Sequence, residues 1–182
     1  QLLPAFHGIS SVWVALPARG VPAGGEVRLL PVNEGMAVLV GGDSGWVLFD
    51  TGRSSTAAAR ALAALRVRTL AALVVTHLDA DHTGGAVRLL ERLRVGALVY
   101  PRLAADHPEA LALRRTARAR GVVERPVTAG TRVELGGMPC DVLWPPREVA
   151  AGSDNDASLV VRIRAAGVAL LVTGDIERAG EA

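Results

Sequence analysis

The stretch Val74-Val75-Thr76-His77-Leu78-Asp79-Ala80-Asp81-His82-Thr83-Gly84-Gly85 constrains this chain most, because an apolar run ends there in four metal-competent side chains and two glycines. Ala71 to Val75 is short, aliphatic and partly β-branched, as a buried strand should be, and from Thr83 the apolar residues Ala86, Val87, Leu89, Leu90 and Leu93 return near helical period. The polar cluster is therefore predicted on a strand-to-helix loop. Two imidazoles and two carboxylates within six residues repel one another or compete for protons unless a cation organises them. Imidazole with carboxylate suits divalent zinc, manganese or iron. Gly84 and Gly85 are expected to let the backbone turn beneath that cation.

Around this loop, 182 residues are enough for one core of ordinary size and too few for two. Half of them are hydrophobic, much of that share alanine, and each long apolar run is broken before it could span a bilayer, so this piece is predicted to be soluble. All twenty basic residues are arginine, and the formal charge is only +2, which makes overall charge a weak argument for nucleic acid. Cys140 lies among apolar residues and reads as a small core side chain. The chain opens at Gln1 without a signal pattern and is expected to be cut from something longer. Residues 1–25 read as an N-terminal extension, with a strand within Ile9–Leu16 and a Pro/Gly-rich linker over Pro17–Gly25, ahead of a domain over 26–182.

Within that domain, Val27–Leu30, Ala37–Val40 and Trp46–Asp50 read as strands, and Ser54–Leu65 as a helix capped by Ser54 or Ser55. Beyond the motif the pattern predicts a strand at Ala97–Tyr100 and a helix with Pro108 in its first turn, ending at Gly121. Strands follow at Val122–Val127, Arg132–Leu135, Cys140–Trp144, Leu159–Ile163 and Val168–Val172. Interposed helices and then a run of strands suggest two packed sheets with helices outside.

The pattern His-x-Asp-x-Asp-His-x-Gly-Gly resembles the metallo-β-lactamase signature His-x-His-x-Asp-His, with Asp79 standing in place of the second histidine. Together with Phe49-Asp50-Thr51-Gly52, Asn155-Asp156-Ala157-Ser158-Leu159 and Thr173-Gly174-Asp175-Ile176-Glu177, it is similar to one branch of that family, the soluble nuclease-like domains of the ComEC competence proteins of bacterial DNA uptake. The resemblance runs from about Val27 to the C-terminus. It implies an α/β fold, the αββα sandwich of the metallo-β-lactamase type, with active-site loops at one edge. It also implies that the domain is incomplete at its C-terminal end, since the family's late His-His-Gly motif is not reached before Ala182.

The resemblance further implies that Asp50 orients the histidine loop without binding metal, and that Asp175 bridges two ions, one held with His77 and Asp79 and the other with catalytic Asp81 and His82. Three carboxylates beside two imidazoles tilt the expected metal from zinc towards manganese or magnesium. Met36 stands where the family usually carries an acid, and no histidine lies in 154–158, where Asp154 or Asp156 is either a substitute ligand or a solvated turn. His7 and His107 are read as non-catalytic, with His107 at a helix N-cap.

The function implied is a metal-dependent phosphodiesterase, a nuclease that degrades DNA during uptake, with water as nucleophile. Two alternatives stay open: a hydrolase of the same fold acting on a small phosphoester, thioester or lactam, and a binding or scaffold module of the uptake channel with weak or no catalysis. The parent is expected to be a polytopic bacterial inner-membrane protein, with this domain on the extracytoplasmic side. Arg114 and Arg118 share a helix face by i, i+4 spacing and are the candidate DNA phosphate contact. A solvated helix face is the stronger reading there, because no aromatic residues are interleaved to stack bases.

Overall fold

The computed structural model describes residues 2–4, 12–15, 25–148, 155–165 and 167–176. Its strands are β1 (Leu2–Pro4), β2 (Val12–Ala15), β3 (Glu26–Leu29), β4 (Val38–Gly42), β5 (Gly45–Phe49), β6 (Thr69–Val74), β7 (Arg94–Pro101), β8 (Val123–Val127), β9 (Arg132–Leu135), β10 (Met138–Trp144), β11 (Val160–Ala165) and β12 (Val168–Val172). The helices are α1 (Ala57–Ala64), α2 (Ala80–Thr83), α3 (Ala86–Arg92) and α4 (Pro108–Ala119).

They build two six-stranded sheets, one ordered β3-β4-β5-β6-β7-β8 and the other β1-β2-β12-β11-β10-β9. The first begins as an antiparallel meander and becomes parallel from β5 to β8. Each parallel step needs a crossover, which α1, then α2 with α3, and finally α4 provide. The second sheet is antiparallel throughout.

Period-two alternation decides which residues meet. Val38, Val40, Val47, Phe49, Val74 and Val99 face the second sheet, where Met138, Cys140, Val142, Val161, Ile163 and Leu170 meet them in one buried cluster. The opposite side of the first sheet (Leu39, Leu48, Leu73, Leu98) packs beneath Leu62 of α1, Leu89 and Leu90 of α3 and Leu113 of α4. Full burial of side chains of this size contributes about 1.5–3 kcal/mol each. Burial pushes the Cys140 thiol up to about 12, which makes it an inert core group, as the sequence suggested.

Several local expectations shift. Val12–Ala15 pairs with β12, so this strand belongs to the second sheet rather than preceding the sandwich. Most of the Pro17–Gly25 linker, residues 17–24, lies outside the described residues. α1 starts at Ala57, and the Ser54 hydroxyl accepts hydrogen bonds from the Thr56 and Ala57 N–H groups, so the capping role falls to Ser54. The helix expected from Thr83 is two helices broken at Gly84-Gly85, both in right-handed conformation. Glycine serves close approach there rather than a turn: a Cβ on Gly84 would lie 2.0 Å from the Arg53 carbonyl oxygen. Among the described residues no helix is long and apolar enough to cross a membrane.

The topology places the polar residues. β5 and β6 are parallel neighbours with Phe49 opposite Val74, so Asp50 and the Thr76-His77 pair leave the sheet side by side at its carboxyl edge. That edge is where parallel sheets gather functional loops.

Candidate metal centre

Asp50 is the anchor of the loop. It is fully buried, ends β5 with φ +56°, and spends its carboxylate on three hydrogen bonds. One oxygen accepts the Thr76 N–H at 2.8 Å, and the other accepts the Thr76 hydroxyl at 2.6 Å and His82 Nδ1–H at 2.7 Å. A left-handed backbone strains most side chains, but aspartate tolerates it. Thr51 adds a second clamp: its N–H and hydroxyl both donate to the His82 carbonyl, and its oxygen accepts the Gly85 N–H.

These bonds fix the tautomers. Because the Thr76 hydroxyl proton is committed to Asp50, its 3.1 Å contact with His77 Nδ1 requires the ring to donate. His77 Nε2 is therefore the bare nitrogen, and it is buried without a hydrogen-bond partner among the described residues. Burial, and then the neighbouring His82, lower the His77 pKa and keep that ring neutral. His82 differs: burial opposes its charge, but hydrogen bonds to Asp175 and Asp50 outweigh it and lift its pKa to about 10. Its Nε2 faces Asp175 Oδ1 at 3.2 Å, an arrangement that demands a proton or a metal cation between nitrogen and carboxylate.

His77, His82 and Asp175 thus converge, with one ligand atom from each lying within 4.8 Å of the others and all three residues buried. The two rings stand 4.0 Å apart between centroids. A bare imidazole nitrogen, a second imidazole fixed through its far nitrogen by a carboxylate, and a converging aspartate are what a divalent cation requires, so the donor set fits one.

Of the other predicted ligands, Asp79 is half exposed, with Oδ2 3.7 Å from His77 Nε2. Asp81 is not part of the converging group. The donors that meet in this buried group are two imidazoles and one carboxylate, a set that suits several divalent ions. Met36 is buried in the inter-sheet core and offers nothing to a cation. His7 and Asp154 lie outside the described residues, whereas Asp156 sits in a short turn whose carbonyl accepts Trp144 Nε1–H at 2.6 Å. His107 is at the N-cap position of α4, with its Nδ1 against the Glu109 carboxylate.

The sequence reading gave no role to Thr51, Thr76 or Ser158. Thr76 carried a signal in its place directly before His77 at a strand end; Thr51 and Ser158 carried none beyond membership of their motifs.

Arg114 and Arg118, the candidate phosphate contact, share one acidic partner. Glu124 of β8 accepts hydrogen bonds from Arg114 Nε at 2.6 Å and Arg118 Nε at 2.5 Å, so Arg114 is held against the protein while Arg118, 63% exposed, is tethered at the surface. Partial burial pushes the Glu124 carboxyl up, but Arg114, Arg118 and Tyr100 together hold it below its ordinary value of 4.5. A carboxylate held down in this way stabilises the fold above its unfolded pKa, and the contribution is lost as pH falls through the folded value. Glu124→Gln should therefore cost about 1 kcal/mol at neutral pH. The gap between variant and parent should close below about pH 4.5. Urea midpoints of both proteins across that range check it, and a gap independent of pH would remove the ion pairs from the account.

The comparisons agree with this geometry. Residues 30–182 match the metallo-β-lactamase superfamily. Two curated relatives are ComE operon protein 3 of Bacillus subtilis (strain 168), 30% identical over 177 residues, and competence protein ComA of Neisseria gonorrhoeae, 34% identical over 158 residues. The alignments take in 86% and 85% of this chain but only 23% and 20% of those proteins. Among solved structures, a metallo-β-lactamase HARLDQ-motif mutant from Cronobacter sakazakii is similar with a TM-score of 0.53 at 19% identity, covering 80% of this chain and 61% of that one.

Proposed function

The chain belongs to the metallo-β-lactamase superfamily, and from that premise we propose that it is a metal-dependent phosphodiesterase that cleaves DNA in competence-type uptake. The observation that carries the reading is the convergence of His77, His82 and Asp175 around the unpartnered His77 Nε2. The substrate class is drawn from the two competence relatives, of which this chain spans about a fifth to a quarter. On this reading it is one domain of a longer membrane protein and faces the extracytoplasmic side.

A divalent ion, zinc or manganese, would be held by His77, His82 and Asp175 and would supply Lewis acidity for activating water and offsetting negative charge at a phosphoryl group. The chain's own residues do the positioning. Asp50 keeps the proton of His82 on Nδ1 and so aims Nε2 inward, and Thr76 does the same for His77 through its hydroxyl. Asp175 supplies the converging carboxylate, and Asp79, at the exposed rim, brings a second negative group close to His77. A second ion would draw on Asp79 and Asp81. No side-chain nucleophile is needed.

A binding module of the uptake machinery is the second reading, favoured by buried Met36 and by Asp81 standing apart from the cluster. Fluorescent single- and double-stranded DNA, a chromogenic phosphodiester and a chromogenic lactam, each assayed with Mn²⁺ and Zn²⁺, separate the readings. We expect metal-dependent phosphodiester cleavage that chelator abolishes. Turnover of the lactam alone would assign a different hydrolase, and DNA binding with no turnover of any substrate would assign the module.

A further inference from the structure

Ser158 belongs to the Asn-Asp-x-Ser-Leu stretch, and the centre as described makes no use of it. Its side chain is fully buried, and its hydroxyl has no hydrogen-bond partner among the described residues. An unpaired hydroxyl in a protein interior costs free energy, and such groups are kept where a partner arrives later. The same holds for His77 Nε2, an orphan whose purpose is plain from its place in the ligand cluster.

The position of Ser158 points to the same cluster. The next residue, Leu159, donates its N–H to the Thr76 carbonyl at 2.8 Å, which lays the segment along the strand end that carries His77. On its other side is Gly174, immediately before Asp175. A Cβ on Gly174, which has φ +56°, would lie 2.9 Å from Thr76 Oγ1 and 3.1 Å from Ser158 Cβ. Ser158 is thus wedged against the residues that precede two of the three converging ligands.

We propose that Ser158 is a positioning residue for the divalent cation: its hydroxyl gains its hydrogen bond when His77, His82 and Asp175 hold an ion, donating to an oxygen of the ion's ligand shell. Binding then satisfies a group that the metal-free fold leaves unpaired, which adds to affinity. The proposal rests on the metal-dependent reading above and concerns this chain's own serine.

Ser158→Ala separates this role from packing because the two effects have opposite signs. Removing an unpaired buried hydroxyl should leave the urea midpoint of the chelator-treated protein unchanged or higher. The same substitution should weaken Zn²⁺ or Mn²⁺ binding, measured by calorimetry, by tenfold or more, as loss of a group supporting metal ligands does. A lower metal-free midpoint would mean that the hydroxyl already has a partner and would overturn the proposal, as would affinity equal to the parent's. Failure of the parent itself to bind either ion would instead strike the metal reading, and the two failures are distinguishable in one set of titrations.

Discussion

Asp50→Ala is expected to lower stability by about 3–5 kcal/mol, the range for removing one member of a buried, hydrogen-bonded charge pair. The substitution strands the Thr76 N–H, the Thr76 hydroxyl and His82 Nδ1–H, all within 2.6–2.8 Å of this carboxylate in a fully buried setting. It also places alanine at φ +56°, a conformation that aspartate tolerates better. Against a total stability of about 5–15 kcal/mol, a loss of that size should be plain in urea denaturation. Asp50→Asn sharpens the test. One amide oxygen can replace the acceptor for the Thr76 N–H, but the amide NH₂ then confronts two donors, so His82 must change tautomer and turn a protonated Nε2 towards the ion. The asparagine variant should therefore lose less stability than the alanine variant and still bind metal about 10–100-fold more weakly. An alanine variant within 1 kcal/mol of the parent would show that the loop does not depend on this anchor.

The sequence revealed the sandwich because each level of it repeats one simple pattern. Alternation in Val38–Phe49 and Met138–Val142 marks the two faces that meet, and of the residues that signalled α4, Leu113 and Ala117 lie on its buried stripe while Leu111 is exposed and Ala110 takes its place. The metal-competent loop was legible for a different reason: four such side chains in six residues have few structural uses. Long-range pairing was not legible. Glu124 stands ten residues from Arg114 and six from Arg118, and only the docking of α4 on β8 shows that one carboxylate takes both guanidinium groups. Nor could a linear motif say that His77 and His82 converge with Asp175, which lies some ninety residues further along the chain. Gly84 was expected to let the backbone turn, whereas it is the approach of the Arg53 carbonyl that excludes a side chain there.

The convergence of the three buried ligands sets the second large effect. Asp175→Asn should reduce affinity for Zn²⁺ and Mn²⁺ by more than about 100-fold, beyond the range for groups that only support ligands. Asp175 is the one carboxylate in the buried group of three, and it faces the same His82 nitrogen that a cation would take. Asparagine keeps the volume and removes the charge, so the sandwich should survive and circular dichroism should match the parent. Asp79→Asn is the internal control. Asp79 is half exposed and 3.7 Å from His77 Nε2, where water screens much of its charge. Its loss should therefore weaken binding by about tenfold at most. The order of the two variants carries more information than either value. If Asp79→Asn proved the more damaging, the cation would sit towards the exposed rim with Asp79, as the sequence pattern suggested for one of two ions, and the buried His77–His82–Asp175 cluster would be an ion-paired structural element rather than the metal centre. Calorimetric titration of parent and both variants with each ion decides the order.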